Sequence, residues 1–213
     1  MKFHNIEPNN IENGVGIRTL LWVSGCFHNC VECHNPVTHD PYDGVTFDEV
    51  AMDELMSYLS NDYISGLTLT GGDCLCYYPE ESLEIIDAVR NKFGDKKTIW
   101  LYTGFTLDWI IRTILSIADK DVKYVYSHIL TNIDVLCDGK YDNTVSSKEY
   151  HWVGSTNQRV IDMKASIERG EVVFFEKEQE KMCTTNSSET NNLLKKFKEY
   201  LDQGDPHPST LYL

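Results

Sequence analysis

The chain has 213 residues, 41% hydrophobic and 11% aromatic, which suffices for one sizeable core and suggests one domain plus an appendage. With 19 Lys and Arg against 33 Asp and Glu, the formal net charge is −14, which argues against binding a nucleic-acid backbone, since that needs clustered cations. The opening residues MKFHNIEPNNIENG lack the apolar stretch of a secretory signal, and no run approaches the roughly 20 apolar residues of a membrane span, so no membrane association is expected.

In chain order, IRTLLWVSG (17–25) reads as a buried strand that feeds straight into SGCFHNCVECHNP (24–36). That loop holds Cys26, Cys30 and Cys33 in C-x3-C-x2-C spacing. Seven cysteines in total, an odd number with three in one loop, do not make a disulfide framework. A reducing cytoplasm, where clustered thiols bind metal, is the expected compartment. TFDEVAMDELMSYLSN (46–61) is predicted to be helical, with Thr46 and Glu49 at capping-box spacing and Met52, Leu55, Met56 and Leu59 on its apolar face. SGLTLTGGD (65–73) is a second strand ending in Gly71-Gly72-Asp73. Pro79 opens a helix over 79–93, with Leu83, Ile86, Val89 and Phe93 inward and Arg90 toward solvent.

KTIWLYTGF (97–105) is a third strand and runs into Thr103-Gly104. TLDWIIRTILSIAD (106–119) is a helix with Ile110, Ile114 and Ile117 inward, and VKYVYS (122–127) and NIDVLCDG (132–139) are two further strands. Strands alternating with helices indicate an α/β fold, either a parallel sheet or a barrel of βα units. Ligands in such folds sit at the carboxyl ends of the strands. The cysteine loop, Gly71-Gly72-Asp73, Thr103-Gly104 and Asp138-Gly139 each follow a predicted strand, so one face collects them all. From about Asp162 the composition changes to a short apolar run, a polar linker and a final helix with Leu193, Leu194, Phe197 and Leu201 on one side. This divides the chain into a core (1–162) and a C-terminal extension (163–213).

Soft thiolates select zinc or iron–sulfur clusters. A structural zinc would take His28 or His34 as its fourth ligand. Every candidate ligand then lies between Cys26 and His34, so that zinc would staple little chain together. A [4Fe-4S] cluster on three thiolates instead leaves one iron without a protein ligand, open to a substrate's nitrogen and oxygen.

Here the motifs resemble a known family. C-x3-C-x2-C after a strand, followed by a Gly-Gly-acid motif after the next, resembles the radical S-adenosylmethionine superfamily, whose fold is a partial (βα) barrel. NGVGIRTLLWVSGCFHNCVECHNP is similar to the enzymes that activate glycyl-radical proteins. GLTLTGGD, IWLYTGF, DGKYD and GSTNQR, in that order, resemble the activating component of the anaerobic ribonucleoside-triphosphate reductase.

The resemblance implies that Cys26, Cys30 and Cys33 hold a [4Fe-4S] cluster and that S-adenosylmethionine chelates the open iron. It implies reductive cleavage of that molecule by an electron from an external one-electron donor. The resulting 5'-deoxyadenosyl radical would take hydrogen from a glycine of the large reductase subunit. Gly71 and Gly72 would allow close approach of the ligand, and Asp73 would accept from its amino group. Thr103 and Gly104 would line the same ligand, and His34 would contact its adenine. Arg18 is expected to be structural, and Asn157, Gln158 and Arg159 match a family segment without an evident role.

Some features depart from the family pattern. Cys74 stands where proline is more usual, and Cys76 lies two residues on. The stretch 119–133 is longer than expected, and the extension has no recognisable counterpart. Other readings are an activase for a different glycyl-radical enzyme, such as the pyruvate formate-lyase type, or hydrogen abstraction from a small substrate. A non-catalytic zinc or iron–sulfur module is also open, but it would have no use for a Gly-Gly-acid motif.

Overall fold

Apolar residues at every second position build the centre of the molecule. In the computed structural model, which describes residues 1–204, seven strands form one sheet: β1 (Lys2–Asn10), β2 (Ile17–Val23), β3 (Val45–Thr46), β4 (Ile64–Gly71), β5 (Thr98–Tyr102), β6 (Val135–Asp138) and β7 (Arg159–Asp162). Their order is β3-β1-β2-β4-β5-β6-β7. The central four, β2, β4, β5 and β6, are parallel, β1 runs antiparallel to both its neighbours, and β7 runs antiparallel to β6. The helices are α1 (Glu49–Leu59), α2 (Cys74–Tyr77), α3 (Pro79–Phe93), α4 (Leu107–Ser116), α5 (Lys120–Asn132), α6 (Met163–Arg169), α7 (Lys177–Met182) and α8 (Ser188–Asp202).

Alternation along the strands sorts the two faces of the sheet. Leu21, Val23, Leu67, Leu69, Ile99, Leu101, Leu136 and Ile161 join the main core, together with buried residues of α1, α3, α4, α5, α6 and α8. The alternate residues Trp100, Val135, Cys137 and Val160 form a separate small cluster with Trp152 and Val153. The helices therefore cover one face, and the other is left for a cavity. Among the described residues no helix is long and apolar enough to cross a membrane.

Several expectations need correction. VKYVYS is not a strand but the first half of α5. Asp119 caps that helix by accepting from the N–H groups of Asp121 and Val122, and Val125, Tyr126, Ile129 and Leu130 are buried with three- and four-residue spacing. Packing of this face against α3 and α4 overrides the β preference of Val and Tyr. The unexplained length between 119 and 133 is therefore a helix. The chain also begins with a strand that the residue pattern hides. β1 carries register shifts between Phe3 and Asn5 and between Glu7 and Asn10, which break the alternation of buried residues. α1 is capped by Asp48, whose carboxylate accepts from Ala51, while Thr46 belongs to β3. Arg90 does not face solvent. Only 13% of its side chain is exposed, and it donates to the carbonyls of Asn132 and Lys97 and to Asp134 Oδ2 at 2.6 Å.

Two fully buried arginines brace the sheet. Arg18 donates to Thr68 Oγ1 at 2.7 Å and to Thr98 Oγ1 at 2.9 Å and lies over the Trp100 ring, joining β2, β4 and β5. Burial lowers its pKa to about 10, so it remains charged at neutral pH. Arg159 ties β7 to three other elements. It reaches Asp138 Oδ1 at 3.0 Å, Asp108 Oδ2 at 2.8 Å and Thr190 Oγ1 at 2.7 Å, on β6, α4 and α8. This contact, with Leu193, Leu194 and Phe197 buried, docks α8 on the core; residues 205–213, the end of the expected extension, lie outside the described residues.

Removing one member of a buried ion pair strands the other without a partner. Arg159→Met is therefore expected to lower the unfolding free energy by about 3–5 kcal/mol in urea denaturation followed by circular dichroism. A loss below about 1 kcal/mol, the value of an exposed pair, would show that the brace contributes little.

Candidate functional site

Because β2, β4, β5 and β6 are parallel, their carboxyl ends share one edge of the sheet, and the loops that follow converge there. They enclose a cavity of about 380 Å³. Cys26, Cys30, Cys33, His34, Gly71, Gly72, Asp73, Thr103 and Gly104, the residues expected to hold the cluster or its ligand, all lie on its wall.

The cysteine loop is wound so that its thiols can face inward together. Asn29 and Glu32, immediately before Cys30 and Cys33, have φ of 50° and 57°, left-handed values that only a closely determined loop holds outside glycine. Backbone bonds fix the loop base: Gly25 N–H to Thr38 O at 2.8 Å, Cys26 N–H to His39 O at 3.0 Å and Asp73 N–H to Gly25 O at 2.9 Å. Cys33 Sγ accepts the N–H of Asn35 at 3.4 Å, and the backbone amides of His28 and Tyr141 favour the thiolates of Cys26 and Cys30. The Cys76 thiol also bonds Cys26 and, against the effect of burial, brings its pKa down to about 6. Burial pushes Cys30 the other way. Three sulfurs with amide donors on one cavity wall fit a thiolate-bound iron–sulfur cluster. Among the described residues no further cysteine stands beside them on that wall except Cys137, at the end of β6.

Asp73 ties the loops to one another. Its side chain is buried, and Oδ2 accepts from His28 Nε2 at 2.7 Å, Thr103 Oγ1 at 2.7 Å and Gly104 N at 2.8 Å. Oδ1 caps α2 by accepting from Leu75 N at 2.9 Å. The carboxylate thus joins the loops after β2, β4 and β5. The glycines make room for protein against protein. A Cβ on Gly72 would lie 2.7 Å from Gly25 O, and one on Gly104 would lie 2.4 Å from the His28 ring. His34 is exposed at the mouth, its ring centroid 5.2 Å from that of Tyr141. Cys74 is buried against the core, and burial raises its thiol pKa.

Sequence reasoning offers His28 only as a candidate zinc ligand and misses the far wall. That wall, from Gly139 to Gln158, contributes Lys140, Tyr141, Trp152 and Gly154. Gln158 holds it closed, accepting from Gly154 N at 3.0 Å and donating to Gly139 O at 2.9 Å. Asn157 donates to Lys140 O at 2.8 Å. The Asn-Gln-Arg stretch was the available signal: two of its members pin this wall, and the third braces α8.

One consequence concerns reactivity. In the metal-free chain at about pH 7, iodoacetamide is expected to modify Cys26 faster than Cys30, measured by mass spectrometry of the labelled peptides, because only the thiolate reacts. Cys76→Ala should narrow the gap. Equal rates in the unaltered chain would contradict the assignment of the Cys76 hydrogen bond.

Comparison with known proteins fits this geometry. Residues 12–161 match the family model described as a 4Fe-4S single cluster domain. The chain is 38% identical over 163 residues to the anaerobic ribonucleoside-triphosphate reductase-activating protein of Enterobacteria phage T4, covering 75% of this chain and 93% of that one. Proteins of the same name are 35% identical in Haemophilus influenzae and 32% in Escherichia coli K12, each across 77% of this chain and 99% and 100% of theirs. The chain belongs to the 4Fe-4S single cluster domain family and, by these relatives, to the anaerobic ribonucleoside-triphosphate reductase-activating proteins.

Proposed function

We propose that this chain is the activating enzyme of an anaerobic ribonucleoside-triphosphate reductase and works as a radical S-adenosylmethionine enzyme. The observation that carries this reading is the set of three amide-supported thiols, Cys26, Cys30 and Cys33, on the wall of a cavity also lined by the Gly71–Asp73 and Thr103–Gly104 loops. These thiols would hold the [4Fe-4S] cluster, which when bound supplies the electron for reductive cleavage of S-adenosylmethionine and so the means to make a glycyl radical on the large reductase subunit.

The chain's own residues then do the placing. Three ligands leave one iron free, and the cavity volume beside them is of the size that small cofactors occupy. Asp73 fixes one wall of that space by holding the His28 ring and the Thr103–Gly104 loop in place. Lys140, a cation on the far wall, suits the carboxylate of the methionyl group, and the His34–Tyr141 pair at the mouth suits a planar base. Gly71, Gly72, Thr103 and Gly104 form the wall between them. The sheet, helices on one face and cavity on the other, is consistent with a partial (βα) barrel of the radical S-adenosylmethionine type. We assign 1–162 to that core and 163–213 to an extension. Its described part packs through α8 on α4 and contributes no residue to the cavity wall. The electron would come from an external one-electron donor. A cytoplasmic location, with neither nucleic acid nor membrane as partner, accords with the acidic charge and free cysteines.

Anaerobic reconstitution with iron and sulfide, then reduction with S-adenosylmethionine present, tests this reading. The expected result is cluster absorbance and release of 5'-deoxyadenosine, both reduced to background in Cys30→Ala. Tight binding of a single zinc, with no cluster and no 5'-deoxyadenosine, would overturn it.

A further inference from the structure

Trp152, on the far wall of the cavity, has a φ of 63°. A bulky residue keeps this left-handed backbone only where its surroundings over-determine it. One restraint comes from the core, where the Trp152 carbonyl accepts from the Tyr102 hydroxyl at 2.8 Å. Others come from the C-terminal extension. Val173 to Phe175 lie antiparallel beside β7, with Asp162 N–H bonded to Val173 O at 2.9 Å and Phe175 N–H to Val160 O at 2.8 Å. The Phe175 ring then rests against Trp152 and Trp100, at centroid distances of 5.6 and 5.0 Å. On α7, Gln179 is buried, and its Nε2 donates at 3.1 Å to the carbonyl of His151, the residue before Trp152. Beyond α7, Thr184 N–H donates to Thr156 O at 2.9 Å and Thr185 Oγ1 to Asn157 O at 2.6 Å. The extension thus follows the back of the wall from His151 to Asn157, and it lies outside residues 12–161 that match the family model.

We infer that residues 173–185 form a strap that positions the far wall, with Phe175 and Gln179 as its positioning residues, and that the strap sets the affinity for S-adenosylmethionine. This rests on the reading of the cavity as the site of that molecule. Neither residue lines the cavity, so each acts through Trp152. Without the Gln179 donor or the Phe175 ring, Trp152 is free to leave its left-handed backbone. The change passes along the wall, because Gly154 packs so closely that a Cβ on it would lie 2.9 Å from the Tyr141 ring. A loosened wall has to be ordered again at each binding event, and that ordering costs affinity. The cost falls on the bound ground state and the transition state alike, so it raises KM and spares kcat.

The test uses the full chain and two measurements. In the metal-free chain, hydrogen–deuterium exchange is mapped by mass spectrometry. Gln179→Met, which keeps the length but not the donor, and Phe175→Ala should both exchange faster over residues 145–158 and leave β2 and β4 unchanged. In the anaerobically reconstituted and reduced chain, release of 5'-deoxyadenosine is followed against S-adenosylmethionine concentration. Each variant should raise KM roughly five- to tenfold, the value of about one hydrogen bond, with kcat little changed. Phe175→Tyr, which keeps the ring, should restore the KM of the unaltered chain. Unchanged exchange over 145–158, an unchanged KM, or a fall in kcat without a rise in KM would overturn the inference. Faster exchange throughout the chain would do so too, as it marks general destabilisation. If the unaltered chain releases no 5'-deoxyadenosine, the proposed function fails, while the exchange map still decides whether the strap holds the wall.

Discussion

Three loops reach the candidate site from three different strands, and a single anion couples them. Asp73 is 2% exposed and would be strongly destabilising if its charge were buried without partners. Donors from His28, Thr103, Gly104 and Leu75 offset that cost, and each comes from the loop or helix that the site needs in place. The dependence runs both ways: the loops satisfy the carboxylate, and the carboxylate holds the loops. The glycines follow from the same constraint. The His28 ring can reach Asp73 only because Gly104 offers no Cβ, and the cysteine loop can abut β4 only because Gly72 offers none.

A second buried carboxylate does the corresponding work one strand further along. Asp138, at the end of β6, accepts from Leu107 N at 2.7 Å and pairs with Arg159, fixing the start of α4 and, through Thr190, helix α8. The cavity edge of the sheet is thus held by two satisfied anions, at the ends of β4 and β6. Between them β5 contributes Thr103 and Gly104, and beyond them Gln158 closes the far wall. An overall charge of −14 coexists with this because the two anions that shape the site are buried and paired.

The central strands were legible because a parallel sheet buried on both faces writes itself as short apolar runs that end in glycine. β2, β4, β5 and β6 are all of that kind, and their carboxyl ends gave the shared edge on which the site lies. Strand β1 was illegible because its bulges break the period of two, and α5 was misread because Val and Tyr in VKYVYS favour strands until a helix packs beneath them. The near wall of the cavity could be named from the motifs and the family they resemble. The mutual arrangement of its residues could not. That His28 belongs to Asp73 depends on a contact between residues 45 positions apart in the chain, which no local pattern encodes.

The central claim is that this carboxylate-coupled pocket equips the chain to activate its reductase through a radical. Electron paramagnetic resonance of the large reductase subunit tests it most directly, after anaerobic incubation with the reconstituted chain, S-adenosylmethionine and a one-electron donor. The account predicts a glycyl-radical doublet on the reductase, and none when Cys30→Ala replaces the unaltered chain. A cluster-loaded chain that cleaves S-adenosylmethionine yet leaves the reductase without a radical would contradict it.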